Sequence, residues 1–115
     1  MKNIEAIRIR LREFSDARDW DQFHSPKNLS MALSVEVSEL VECFQWLTEE
    51  QSCSLTAEQQ AAVIDEIADV QMYLILLADK LGIDIYTAVE QKFKKNEEKY
   101  PIEKVKGNSK KYDQY

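Results

Sequence analysis

The segment TAEQQAAVIDEIADVQMYLILLADKLG, residues 56–82, decides the fold class. Val63, Ile67, Val70, Leu74, Leu77, Ala78 and Leu81 recur at the three- and four-residue spacing of one helical face. Thr56 and Gln59 form a capping box at its start, and Gly82 supplies the residue that accepts left-handed backbone at its end. The longest apolar run inside it, Met72 to Ala78, is too short to span a bilayer.

Similar helical patterns flank this segment. Ile4, Ile7, Leu11 and Phe14 predict a helix over about residues 2–18. A stretch of alternating aromatic and charged residues, Arg18 to Ser25, then reads as a loop that ends in a Ser25-Pro26 helix-start signal. A helix follows from Pro26 to Leu47, with Leu33, Val37, Leu40, Val41, Phe44 and Leu47 as its apolar stripe. Thr48 to Leu55 is a polar linker. Beyond Gly82, Asp84 caps a fourth helix carrying Ile85, Ala88, Val89 and Phe93, which stops near Tyr100 because Pro101 disfavours helical backbone before it. Residues 101–115 form a polar tail. The expectation is one all-α domain over residues 1–115, a four-helix bundle completed by oligomerisation.

Composition agrees with that class and excludes others. The 115 residues are 44% hydrophobic and include only two glycines and two prolines, too little punctuation for many strands and turns. A net charge of -6 argues against binding of a nucleic acid polymer, which depends on an excess of Lys and Arg. Cys43 and Cys53 lack Cys-x-x-Cys spacing, and a single histidine cannot complete a zinc set, so both read as reduced thiols. With Met1 to Glu5 opening directly into an amphipathic pattern, the expected location is the cytoplasm, with no membrane partner.

Two short runs carry the chemistry. Glu36-Val37-Ser38-Glu39-Leu40 is echoed 30 positions later by Glu66-Ile67-Ala68-Asp69-Val70. Acids three apart on a helix point about 60° from one another, so each pair can converge on one ion. Glu36 and Glu66 fall roughly 65° and 75° from the centres of their apolar stripes, which puts both pairs at the flank of the buried face. Packing the stripes together brings up to four negative charges into one groove, an arrangement that opposes folding unless cations neutralise it. Hard carboxylate ligands suit Mg²⁺, with Mn²⁺ as the alternative ion, and Mg²⁺ leaves coordination positions for water and phosphate oxygens. An acidic protein can thereby bind a nucleoside triphosphate. A single Glu-x-x-Glu is usually just a solvated face, as Glu42 would be; two at matched phase are less easily dismissed.

Other residues could complete a nucleotide site. Trp20, Phe23, Trp46 and Tyr73 offer flat surfaces for a base, with core packing or subunit contact as the competing role of such side chains. Lys92, Asn96 and Lys99, with Lys95 beside them, share one face of the fourth helix and present donors to phosphate, or form an ordinary solvated lysine face. His24, alone of its kind, reads as a hydrogen-bonding loop residue.

The combination of Arg18-Asp19-Trp20, Gln22-Phe23-His24, Pro26, Glu36-Val37-x-Glu39-Leu40, Phe44-Gln45-Trp46, Glu66-x-x-Asp69-Val70, Lys92, Asn96 and Lys99-Tyr100-Pro101 resembles the MazG-like family. Within it the motifs are most like those of the dCTP pyrophosphatases. The resemblance implies an all-α fold and Mg²⁺-dependent cleavage of dCTP, a modified dCTP or another nucleoside triphosphate between the α- and β-phosphates, in removal of damaged or surplus nucleotides. It also implies a homo-oligomer, a tetramer or a dimer. Carried onto matching positions, it makes Glu36, Glu39, Glu66 and Asp69 metal ligands and places Trp20 and Trp46 at the base. Tyr73, Lys92 and Asn96 become nucleotide contacts. Leu11 stands where the animal dCTP pyrophosphatases carry a histidine near the base, so cytosine preference does not follow from the motifs.

In the mechanism expected from these residues, a metal-activated water attacks phosphorus and Glu39 accepts its proton. A di-iron bundle is a poor alternative, because that class needs Glu-x-x-His motifs on its helices and His24 lies in a loop. The non-enzymatic alternative is a helical interaction module whose acidic face docks a basic partner, with Trp20 and Trp46 as anchors. Such a module predicts no metal-dependent change in stability.

Overall fold

The computed structural model describes residues 3–107, and every regular element in that range is helical. In chain order these are α1 (Ile4–Ala17), a 3₁₀ turn (Asp21–Phe23), α2 (Pro26–Glu42), α3 (Glu49–Ser52), α4 (Ala57–Lys80), α5 (Ile85–Lys99) and α6 (Ile102–Val105). The chain divides into two compact units, Met1–Gly82 and Ile83–Tyr115. None of the described helices is long and apolar enough to cross a membrane.

Local chemistry sets most helix ends. The Asn3 side chain accepts a hydrogen bond from the Ala6 N–H at 2.8 Å, and Ser25 accepts from Asn28 with Pro26 just inside the helix. Thr56 and Gln59 form the expected reciprocal box, with distances of 2.9 and 3.1 Å. Gly82 adopts φ +66°, the left-handed conformation anticipated beyond the α4 terminus. Asp84 holds the position before α5 but does not cap its backbone; its carboxylate accepts from the Thr87 hydroxyl at 2.6 Å.

Two boundaries differ from the sequence expectation. The second helix ends at Glu42 rather than Leu47, and Cys43 to Leu47 pass into tight turns. Thr48 then takes extended backbone and, with Gln51, forms a second capping box that starts α3 inside the supposed linker. The tail is also not wholly irregular, since α6 follows Pro101. Its last part, 108–115, lies outside the described residues.

In the first unit α4 packs most extensively on α2 and also against α1. Serving two neighbours, α4 needs two packed faces, and this redistributes the expected stripes. Val63 and Ala78 are buried as expected, but so is Ile75, whereas Ile67, Leu74 and Leu81 remain exposed. On α2, Leu29 is buried and Leu33, Glu36 and Leu40 are half-buried, while Val37 and Val41 are exposed. Leu29, Leu33, Glu36 and Leu40 recur at i, i+4, i+7 and i+11, so the packed face of α2 is rotated away from Val37 and Val41 and onto the acid.

Candidate active site

The seam between α2 and α4 brings the acids together. Carboxylate oxygens of Glu36, Glu39 and Glu66 all lie within 4.8 Å of one another. One oxygen of Glu36 and one of Glu66, the Oε2 atom in each case, are sealed from solvent and have no hydrogen-bond partner among the described residues. Such orphaned acceptors are costly in a folded protein. Burial pushes Glu36 up to about 7, helped by a hydrogen bond with Glu39 and by the charges of Glu39, Asp69 and Glu66. Glu66 is raised for the same reasons, burial first and then Glu39 and Asp69. Asp69 lies outside the tight three-acid set, but its charge acts on both buried glutamates.

Partnerless hard oxygens that converge at this spacing are the donor set a Mg²⁺ or Mn²⁺ ion takes. Glu36, Glu39 and Glu66 fit such an ion, with Asp69 one helical turn beyond Glu66 on α4.

A cavity of about 140 Å³ begins at Asp69. Tyr73, Trp20, Phe14 and Leu11 contribute to its walls, and Ser15 and His24 line it as well. The Trp20 loop is held over α1 and α4 by several local bonds. The Trp20 N–H donates to the Ser15 carbonyl at 2.9 Å, and its ring meets Phe14 edge-on with centroids 5.7 Å apart. Asp19 takes a left-handed φ of 54°, and both its carbonyl and its carboxylate accept from the Gln22 amide. Lys80 Nζ on α4 lies 2.6 Å from Asp21 and holds its carboxyl below the usual range.

Trp46 sits in the turns after α2 with 86% of its surface exposed and does not line the cavity with Trp20. Lys92, Lys95, Asn96 and Lys99 are on α5 in the second unit, the lysines exposed and Asn96 half-buried. Ser15 and His24 were not candidates. A signal for Ser15 existed, since it follows Leu11 at i+4 and so interrupts the apolar stripe of α1 with a hydroxyl.

Residues 31–114 match the model of the MazG-like family. The chain belongs to that family. It is 40% identical over 111 residues to dCTP pyrophosphatase 1 of Mus musculus, an alignment that covers 95% of this chain and 65% of the relative. The enzyme of that name from Homo sapiens gives the same identity and coverage. The chain thus spans just under two thirds of the length of these curated relatives. Among solved structures, a pyrophosphatase from Archaeoglobus fulgidus superposes with a TM-score of 0.80 at 43% identity, over 84% of this chain and 91% of that one. Its likeness supports the helical architecture described above.

Proposed function

We propose that this MazG-like protein is a divalent-metal-dependent nucleoside triphosphate pyrophosphohydrolase that yields a monophosphate and pyrophosphate from the cytoplasmic pool. The observation that carries this reading is the convergence of the Glu36, Glu39 and Glu66 carboxylates from two helices, with a sealed, partnerless oxygen on Glu36 and on Glu66, and an aromatic cavity that begins at Asp69. The names of the relatives, dCTP pyrophosphatase 1 and pyrophosphatase, point to the same chemistry.

When bound, Mg²⁺ supplies Lewis-acid neutralisation of phosphate charge. Glu36, Glu39, Glu66 and Asp69 are its proposed ligands. Glu39 is also proposed to accept a proton from the attacking water. The base enters the cavity beyond Asp69, where Tyr73 and Trp20 provide ring faces. Lys92, Asn96 and Lys99 are proposed to contact the phosphates through the match of α5 to the family motif, with Lys95 beside them on the same helix.

Ile64, Ile67 and Leu74 on α4, Leu81 just past its end, and Val37 and Val41 on α2 are large apolar side chains left exposed in the single chain. Such a surface suits contact with further copies, a dimer or tetramer, and Trp46 is proposed to be covered there or to complete the base site. Light scattering should then give a multiple of 13.4 kDa.

Incubation with dCTP, 5-modified dCTPs and the other dNTPs, with and without Mg²⁺, tests the activity. Stoichiometric pyrophosphate and monophosphate in the Mg²⁺ samples alone support it. Release of orthophosphate, or no turnover of any nucleotide, contradicts it.

A further inference from the structure

Arg18 is an exposed cation at the residue that follows α1, and no carboxylate among the described residues forms an ion pair with it. Its guanidinium lies over the Phe14 ring, 3.5 Å from the centroid, and its Nη1 donates to the Phe14 carbonyl at 3.1 Å. The side chain therefore folds back along α1 onto the residue one helical turn earlier.

Of this pair only Phe14 meets the aromatic cavity; Arg18 does not line it. Trp20 meets the same Phe14 ring edge-on, brought back toward it by the left-handed turn at Asp19 and by its own N–H bond to the Ser15 carbonyl. Phe14 is 46% exposed, so core packing alone leaves its ring free to change rotamer. The guanidinium supplies the missing restraint. It covers one ring face, where the quadrupole attracts a cation, and its bond to the carbonyl of the same residue ties that cover to the backbone from which the ring projects. An edge-on contact depends on the orientation of both rings, so a fixed Phe14 in turn restrains Trp20. Trp20 is thus held by its backbone through Ser15 and by its ring through Phe14, and Arg18 acts on the second hold.

We propose that Arg18 is a positioning residue: it fixes Phe14, which orients the Trp20 ring, and so prepays part of the ordering that nucleotide binding requires. This rests on the proposed pyrophosphohydrolase function. An arginine near a nucleotide site can also act as a direct phosphate ligand, and the two roles behave differently. A residue that works through two aromatic rings affects monophosphate and triphosphate alike. It also loses its effect once Phe14 is removed.

The test compares the wild-type full chain with Arg18→Met, Arg18→Lys, Phe14→Leu and the double variant Arg18→Met/Phe14→Leu. Arg18→Met keeps an apolar stem over the ring and removes the charge and the donors. Four measurements are made: melting curves, near-ultraviolet circular dichroism, pyrophosphate release from the best dNTP with Mg²⁺, and calorimetric binding of the matching monophosphate. In Arg18→Met, KM should rise about three- to tenfold with kcat within about twofold, and the Kd of the monophosphate should rise by the same factor. The near-ultraviolet indole signal should weaken, while Arg18→Lys, which keeps the cation but not the planar fork, should restore part of both. In the Phe14→Leu background the Arg18 substitution should change KM by less than about twofold.

A folded Arg18→Met with the indole signal of the wild type overturns the assignment. So does a defect that persists undiminished without Phe14, or one confined to the triphosphate, since either marks a direct phosphate contact. A wild type that hydrolyses no dNTP overturns the pyrophosphohydrolase reading and the positioning role with it.

Discussion

Helix α4 carries acids at two places, and the protein treats them in opposite ways. Near its C-terminal end, Asp79 receives Arg8 at 3.0 Å and Arg12 at 2.7 Å, both from α1, and is only 16% exposed. Arg8 also pairs with Glu5 and is thereby held protonated well above its usual range. About three and a half turns toward the N-terminus, Glu66 meets Glu36 and Glu39 across the seam, with buried Oε2 atoms on Glu36 and Glu66 that no described residue donates to. Among the described residues of the first unit, α1 supplies two arginines to a structural carboxylate, and none of the ion pairs reaches the cluster. The difference separates a carboxylate that fastens two helices from carboxylates kept open for an ion.

The largest effect should come from breaking the open cluster. Glu36→Gln or Glu66→Gln is expected to lower turnover by about a thousandfold or more, since a neutral amide is a poor Mg²⁺ ligand. Circular dichroism should retain the helical signal. The metal-free melting temperature of either variant should equal or exceed that of the wild type, because a repelling charge has been removed.

A second effect concerns pH. Glu36 holds its proton more tightly in the folded chain, at about 7, than its ordinary value of 4.5. Between those values the folded state binds more protons than the unfolded one, so this group's contribution to stability declines as pH rises from about 4.5 to about 7 and is lost above that. Melting curves of the metal-free protein across this range should show the decline, and Glu36→Gln should flatten it. Saturating Mg²⁺ should oppose it, with a stabilisation that grows with pH.

At the closed carboxylate the expected results reverse. Asp79→Asn should destabilise the chain by roughly 1–3 kcal/mol, because it weakens two inter-helix pairs at a mostly buried acceptor. It should leave the Mg²⁺-dependent rise in melting temperature in place. The smallest change is expected from Lys80→Met, which removes a pair with the 65% exposed side chain of Asp21. Surface pairs of this kind contribute about 0.5 kcal/mol or less. Chemical denaturation of the two variants would rank them, and equal losses would blur the contrast.

The sequence made the helices and their convergent acids legible, because periodicity, the Thr56 box and Gly82 are local signals. The same local signal lay unused at Thr48 and Gln51, which cap α3 with an identical Thr-x-x-Gln spacing. Which apolar face packs was harder to read. Val37 and Val41 look like core in a list of hydrophobic spacings, yet α2 turns Leu29, Leu33, Glu36 and Leu40 inward. A stripe average cannot separate residues that bury within one chain from those left on its surface. The consequence for the site is specific. Glu36 stands nearer the seam than its wheel position against the expected stripe implied, and its raised proton affinity follows from that rotation. The Asp79 pairs depend on how α1 crosses α4, which no local pattern encodes.

The central claim is that the acids of α2 and α4 form one divalent-cation site, and direct titration with Mn²⁺ tests it most simply. Electron paramagnetic resonance of free Mn²⁺ should show saturable uptake by the wild type, competition by Mg²⁺, unchanged uptake by Asp79→Asn, and loss of uptake in Glu66→Gln. Equal uptake by the wild type and Glu66→Gln, or none by either, would contradict the account.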